Sequence, residues 1–202
     1  MRSGAADRPM LLYLHGFRSS PASFKARLLA ERMAALGRSG EYACPQLPVS
    51  PREALELVER GWAPGPADTL VGSSLGGCYA TRLAERHGCR AVLLNPATRP
   101  AAGLARYLGP QTGFHDPSVS FELTPAHLDE LRAIEVDRIT RPERYFLIAS
   151  TGDELLDWRE MVAAYPGARH TVIQGSDHGM SDFAGHMDAV LAFAGILPGP
   201  VA

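Results

Sequence analysis

Thr69-Leu70-Val71-Gly72-Ser73-Ser74-Leu75-Gly76-Gly77-Cys78-Tyr79-Ala80 has the form of a short buried strand that turns at once into a helix, with a serine at the turn. Gly72, Ser74 and Gly76 spell G-x-S-x-G. At such an elbow the serine is held in a strained backbone conformation, and the flanking positions lack a Cβ because one would strike the adjoining strand or helix. The apolar pair Leu70-Val71 precedes the motif, and Leu75, Cys78, Tyr79 and Leu83 follow at helical spacing until Gly88. Those flanks separate the stretch from a plain glycine-rich turn. The Ser74 hydroxyl would stand at the carboxyl edge of a sheet, beside the free N–H groups and positive end of the helix that begins at Leu75.

Working outward, the chain alternates buried strand and amphipathic helix. Upstream, Met10 to Leu14 is an apolar run ending at His15-Gly16-Phe17. Ser20 is placed to cap a helix that Pro21 opens, with Phe24, Leu28, Leu29, Met33 and Leu36 as its stripe. Glu41 to Cys44 is a weaker strand, and Ser50-Pro51-Arg52-Glu53 forms a capping box for a helix that stops at Gly61. Downstream, Ala91 to Asn95, Tyr145 to Ala149 and Thr171 to Ile173 are strands. Trp158, Met161, Val162 and Tyr165 mark one later helix, and Phe183, Met187, Val190, Leu191 and Phe193 the last.

Between the first and second of those downstream strands lie about fifty residues, too many for a bare loop in a compact domain. Two short helices account for them, one on Leu104, Tyr107 and Leu108 and the other on Leu128, Leu131 and Ile134 behind Thr124-Pro125. Six strand–helix alternations predict an α/β architecture, a mainly parallel sheet of about six strands with helices on both faces. Residues 1–202 read as a single domain with a small cap at about 99–143, and the extreme ends, Met1 to Pro9 and Pro198 to Ala202, read as frayed.

With 46% hydrophobic and 21% charged residues in 202, this is the composition of a globular protein with one substantial core. A net charge of −2 without a basic run points away from nucleic acid and from an extended anionic substrate. The first nine residues lack the apolar core of a signal peptide, and no stretch reaches the ~18 apolar residues of a membrane span, so a cytoplasmic protein with no membrane partner is expected. Cys44, Cys78 and Cys89 are odd in number and have no metal-like spacing. They read as reduced core thiols, and no metal or other cofactor is expected.

In a parallel sheet the functional groups gather in the loops at the carboxyl ends of the strands. Those loops carry His15-Gly16-Phe17, Ser74, Asp153 and His178. A serine hydroxyl needs a base to take its proton, and the base needs an acid to fix its tautomer. The chain order Ser74, Asp153, His178 is that of the α/β-hydrolase fold and of neither other serine-triad fold. Asp157, inside an expected helix, is the runner-up acid, and Asp177 reads as a turn residue. The oxyanion of a tetrahedral intermediate needs two N–H donors, and Leu75 with Phe17 are the candidates. His15 reads as a residue that shapes this loop.

Tyr13-Leu14-His15-Gly16-Phe17, Ser19-Ser20-Pro21, Pro45-Gln46-Leu47-Pro48, Gly72-Ser73-Ser74-Leu75-Gly76-Gly77, Asn95-Pro96-Ala97, Thr151-Gly152-Asp153-Glu154 and Asp177-His178 together resemble the YqiA-type esterases, a group of small bacterial α/β-hydrolases. The resemblance runs over nearly the whole chain in one order. It implies hydrolysis of carboxylic esters, with Ser74, Asp153 and His178 on the family's catalytic positions. The expected substrate is a small acyl ester, of short chain because the cap offers little apolar surface. A thioester or activated amide is the alternative on the same residues, and a non-catalytic binding protein the alternative of another class.

Overall fold

A computed structural model describes residues 9–198. The expected frayed ends lie almost wholly outside them. Six strands form one parallel sheet: β1 (Leu11–Leu14), β2 (Tyr42–Ala43), β3 (Thr69–Ser73), β4 (Arg90–Leu94), and, after the insertion described below, strands at Tyr145–Ser150 and Arg169–Ile173. The insertion contains α4 (Pro100–Leu104), the strands β5 (Gly109–Thr112) and β6 (Ser120–Leu123), and α5 (Pro125–Ile134). The last two sheet strands are therefore β7 and β8. Their spatial order is β2-β1-β3-β4-β7-β8, with every neighbouring pair parallel. From β1 the chain runs outward to β2, and from β3 it runs outward the other way. That reversal opens a crevice between the carboxyl ends of β1 and β3, where sheets of this kind bind ligands.

The strands are continuous apolar runs because both faces of the sheet are covered. On one face Leu11, Tyr13, Val71, Val92, Phe146 and Ile148 pack against α1 (Phe24–Ala35) and α7 (Met187–Phe193). On the other, Leu12, Leu14, Leu70, Leu93 and Leu147 pack against α2 (Pro51–Trp62), α3 (Leu75–His87) and α6 (Trp158–Ala164). The second core also takes in Leu128 and Leu131 of α5, so the last helix of the insertion belongs to the scaffold layer. Truncating a side chain as enclosed as Phe146 would cost about 3–5 kcal/mol. This is the α/β-hydrolase fold.

Four local expectations need correction. The first helix begins at Phe24, three residues past the expected start at Pro21, because the Ser20 Oγ instead accepts from the Ala22 amide in a turn. Its buried face is consequently Lys25, Ala26, Leu29 and Met33, and Phe24 is exposed. At α2 Ser50 accepts from the Glu53 amide, but its hydroxyl proton goes to Glu130 of α5 at 2.6 Å, so the box closes between two helices and not within one. Gly61 lies inside α2, which ends one residue later at Trp62, with Ala63 as its C-cap in the left-handed conformation. The insertion holds more than two helices. β5 and β6 pair as an antiparallel ribbon, with Gly109 opposite Leu123 and Thr112 opposite Ser120.

Candidate active site

β3 ends where the backbone must reverse into α3 within a single residue. Ser74 takes φ 54° and ψ −120°, a region that L residues enter only under constraint. The constraint is close packing: a Cβ on Gly72 would stand 2.3 Å from the Gly76 carbonyl oxygen, and one on Gly76 would stand 1.9 Å from that of Leu14. Glycine at both positions lets the strand and helix close to this distance. The Ser74 amide donates to the Leu94 carbonyl at 3.0 Å, and its own carbonyl accepts from Gly77 and Ala97.

The loops after β7 and β8 bring the other two predicted residues to it. His178 Nε2 accepts from Ser74 Oγ at 3.0 Å, and His178 Nδ1 donates to Asp153 Oδ2 at 2.7 Å. Asp153 has a fully buried side chain, while His178 keeps 17% of its side chain exposed. The second Asp153 oxygen accepts from the Leu155 and Leu156 amides, each at 2.9 Å, which fixes the carboxylate plane. Asp157 is not in this chain. It caps α6, accepting from the Arg159 amide. Asp177 closes the turn, accepting from the Ser181 amide at 2.8 Å.

Phe17 and Leu75, the two candidate donors, line the same cavity as Ser74. Leu75 is the first residue of α3, and the loop bearing Phe17 lies against the serine, since a Cβ on Gly16 would be 3.2 Å from the Ser74 Cβ. His15 explains the tilt of that loop. Its Nδ1–H donates to the Gly16 carbonyl at 3.0 Å and its Nε2 accepts from the Leu47 amide at 3.0 Å. Both ring nitrogens are therefore occupied in the neutral form, and burial pushes the pKa below the ordinary histidine value. Carbonyl and N–H of one trans peptide point in opposite directions. Tying the Gly16 carbonyl to His15 thus turns the Phe17 N–H away from His15.

Three positioning residues escaped sequence reasoning. Asn95, buried and at φ 42°, donates from Nδ2 to the Asp177 and His178 carbonyls at 3.0 and 3.2 Å and accepts from the Ser150 amide at 2.8 Å. It clamps the β7 and β8 loops together. Glu154 accepts from the His178 amide at 2.9 Å. Lys25 reaches from α1 to donate to the Gly179 carbonyl, and burial lowers its pKa to about 8 despite the opposing pull of Asp177 and Asp153. Asn directly after a strand, in a position needing positive φ, was the one legible signal; a lysine on a helix's inner face gives none.

Above Ser74 opens a cavity of about 680 Å3, within the range of small-molecule sites. Phe17, Leu104, Tyr107, Phe114, Leu156 and Met161 give it apolar walls. The insertion is sewn to the Phe17 loop: the Phe17 ring meets Tyr107 at 5.9 Å and Phe121 edge-on at 5.8 Å, and Arg18 Nε donates to the Thr112 carbonyl at 2.7 Å. Among the described residues no group of His, Cys, Asp and Glu could hold a metal ion, and no helix is long and apolar enough to cross a membrane.

Solved structures share this architecture. A protein of Agrobacterium vitis S4, provisionally called a hydrolase, is 20% identical with a TM-score of 0.73, over 93% of this chain and 88% of the other. Alpha/beta hydrolase domain-containing protein 10 from mouse is 16% identical, TM-score 0.67, over 91% and 89%. The esterase domain of a Rhodothermus marinus protein is 18% identical, TM-score 0.63, over 94% and 88%. At these identities the likeness is one of fold. The sequence itself goes further, because the model of uncharacterised protein family UPF0227 matches residues 10–195, and the chain is a member of that family, the YqiA type anticipated from its motifs.

Proposed function

We propose that the protein is a serine carboxylesterase that hydrolyses short-chain acyl esters through an acyl-enzyme. The observation that carries this reading is the pair of hydrogen bonds, 3.0 and 2.7 Å, that runs from Ser74 through His178 to Asp153. As Ser74 Oγ attacks the ester carbonyl, its proton passes to His178 Nε2, and Asp153 stabilises the imidazolium and holds its tautomer. The carbonyl oxygen becomes an oxyanion that accepts from the Phe17 and Leu75 amides. Collapse breaks the bond to the alcohol, which leaves with the proton from His178. Water then repeats the sequence on the acyl-Ser74 ester and releases the acid. No step calls for a metal or cofactor.

The same reading takes the chain as one cytoplasmic domain whose segment 99–143 acts as a cap. Short acyl groups follow from the cavity's open mouth. Phe24, Phe114 and Leu155 line it yet stay 45%, 64% and 49% exposed. A long chain laid across them remains partly wet and gains less than the ~0.8 kcal/mol that each fully buried methylene yields. The volume beyond a butyryl group is left for the alcohol. A non-catalytic binder has no use for a serine held at φ 54°.

Ser74→Ala tests the mechanism with a chromogenic acetate ester. The variant should fold and lose about a millionfold in kcat, as removal of a triad nucleophile does. A serine-directed phosphonate should label wild type at Ser74 once. Unchanged turnover, or label mapped elsewhere, overturns the reading.

A further inference from the structure

The cavity over Ser74 is more basic than the chain that builds it. Four basic side chains line it, Arg18, Lys25, Arg99 and Arg106, against two carboxylates, Asp157 and Glu160, in a protein of net charge −2. Two of the four are engaged with the protein. Arg18 donates to the Thr112 carbonyl and lies 4.3 Å from the Phe114 ring, and Lys25 donates to the Gly179 carbonyl. Of the carboxylates, Asp157 caps α6 and faces Arg159 at 3.5 Å.

Arg99 and Arg106 remain. They flank α4, Arg99 as the N-cap ahead of its first turn and Arg106 within the 3-10 turn that follows it. Both are exposed on the cavity wall. Neither makes an ion pair among the described residues. Arg106 lies 5.0 Å from the ring of its neighbour Tyr107, which orients the guanidinium without neutralising it. Glu135, whose carboxylate reaches α4, is occupied by the Ala101 amide. The segment is also anchored to the reacting centre, because the Ala97 amide donates to the Ser74 carbonyl at 3.0 Å. Arg99 follows two residues later, at most about 7 Å further along the chain.

Two unpaired guanidiniums on the wall of one cavity over a nucleophile offer hydrogen-bond donors and positive charge to an anion held there. We propose that the cavity selects esters carrying an anionic group, a carboxylate or phosphate, a few bonds from the scissile carbonyl, with Arg99 and Arg106 as its receptor. The substrate is then amphipathic: its apolar body lies against Tyr107 and Leu104, and its charge lies at the α4 rim. The small anion differs from an extended polyanion, which the rest of the surface does not favour. This selectivity rests on the esterase reading and deepens it.

Matched substrates test it. 4-Nitrophenyl hemiglutarate carries its charge on the acyl side, 4-(butyryloxy)benzoate carries it on the alcohol side, and the methyl ester of each is the neutral control. The measured quantity is the kcat/KM ratio of anionic to neutral ester in wild type relative to Arg99→Gln/Arg106→Gln, in which intrinsic reactivity cancels. At least one pair should show that ratio fall about tenfold in the double variant, and fall with added salt in wild type as charges are screened. Which pair responds assigns the anion to the acyl or the alcohol side. An unchanged ratio in both pairs overturns the proposal. Binding to Ser74→Ala by calorimetry separates this from failure of the chemistry. If wild type hydrolyses none of the esters, tighter binding of the charged member, lost in Ser74→Ala/Arg99→Gln/Arg106→Gln, still supports the receptor, and equal binding of charged and neutral members rejects it.

Discussion

Strands β3 and β7, which deliver Ser74 and Asp153, are buried at every residue and paired on both sides. Strands β5 and β6 of the insertion, whose connecting loop lines the cavity at Phe114 and His115, are mostly half-buried or exposed, with Leu123 alone of their residues buried, and pair only with each other. The first region holds its side chains by enclosure: Asp153 accepts two amides and His178, and Asn95 ties two loops across the sheet edge. The second holds by a few contacts to one loop, through Phe17, Arg18 and Ser20. Reaction geometry therefore belongs to the scaffold, and the insertion adjusts it and shapes the cavity. Substitutions on the two sides should differ in size accordingly.

The largest effect belongs to the enclosed carboxylate. Asp153→Asn should keep the fold and reduce kcat by about ten-thousandfold, since an amide favours the wrong imidazole tautomer and cannot stabilise the imidazolium. Asp157→Asn should stay within a few-fold, because asparagine caps a helix as well as aspartate does. If the two variants exchange behaviour, the enclosed region is not where the acid acts.

Next comes the clamp. Asn95→Gly keeps access to φ 42° but strips the amide, leaving the Ser150 N–H without its acceptor, the His178 carbonyl without its donor and the Asp177 carbonyl with the Met180 amide alone. A loss of about 3 kcal/mol in unfolding free energy is expected, together with a lower kcat as the His178 loop loosens. Stability equal to wild type by urea titration would remove Asn95 from the list of supports.

These scaffold features were the ones most legible in the sequence. Leu70-Val71, Ala91 to Leu94 and Tyr145 to Ala149 are unbroken apolar runs because both sides of a parallel sheet are covered; Ser74 and Asp153 fall in the turns after the first and last of them, and His178 in the loop after the shorter run Thr171 to Ile173. The ribbon was illegible for the converse reason. Gly109-Pro110-Gln111-Thr112 and Ser120-Phe121-Glu122-Leu123 are four-residue strands with one face in water, and Pro110 argues against a strand at all. Lys25 was hidden by the three-residue error in the start of α1, which had turned Phe24 inward. Glu130, which completes the α2 cap from α5, lies eighty positions from Ser50, beyond any local pattern.

The insertion's contribution should be smaller and of another kind. Phe121→Ala removes the ring that meets Phe17 edge-on, so the Phe17 amide loses part of its support. About tenfold in kcat is expected with KM little changed, short of the hundredfold or more that deleting a whole oxyanion donor costs. Phe121→Leu should recover most of it. A rise in KM at constant kcat would mean that the ribbon only binds substrate, and the contrast between the regions would become absolute.

The smallest expected effect lies where the two regions join. Glu85 of α3 accepts from the Thr140 amide and hydroxyl, at the end of the insertion, and from the Tyr145 hydroxyl at 2.6 Å, at the start of β7. Burial alone would raise its pKa, but the hydrogen bonds from Thr140 and Tyr145 and the nearby Arg144 outweigh it, and the folded value lies below the ordinary glutamate value. A carboxyl depressed by folding stabilises the native state fully above its unfolded pKa, about 4.3, and that contribution is lost as pH falls through the folded value. The site is partly open to solvent, so its worth is modest. Glu85→Gln should lower Tm by about 1–3 °C at pH 6, and the gap to wild type should close progressively below pH ~4 as wild type itself becomes protonated. A gap that persists undiminished at pH 3 would mean that Glu85 acts by shape and not by charge, and the junction between scaffold and insertion would then be a packing contact like those within the sheet.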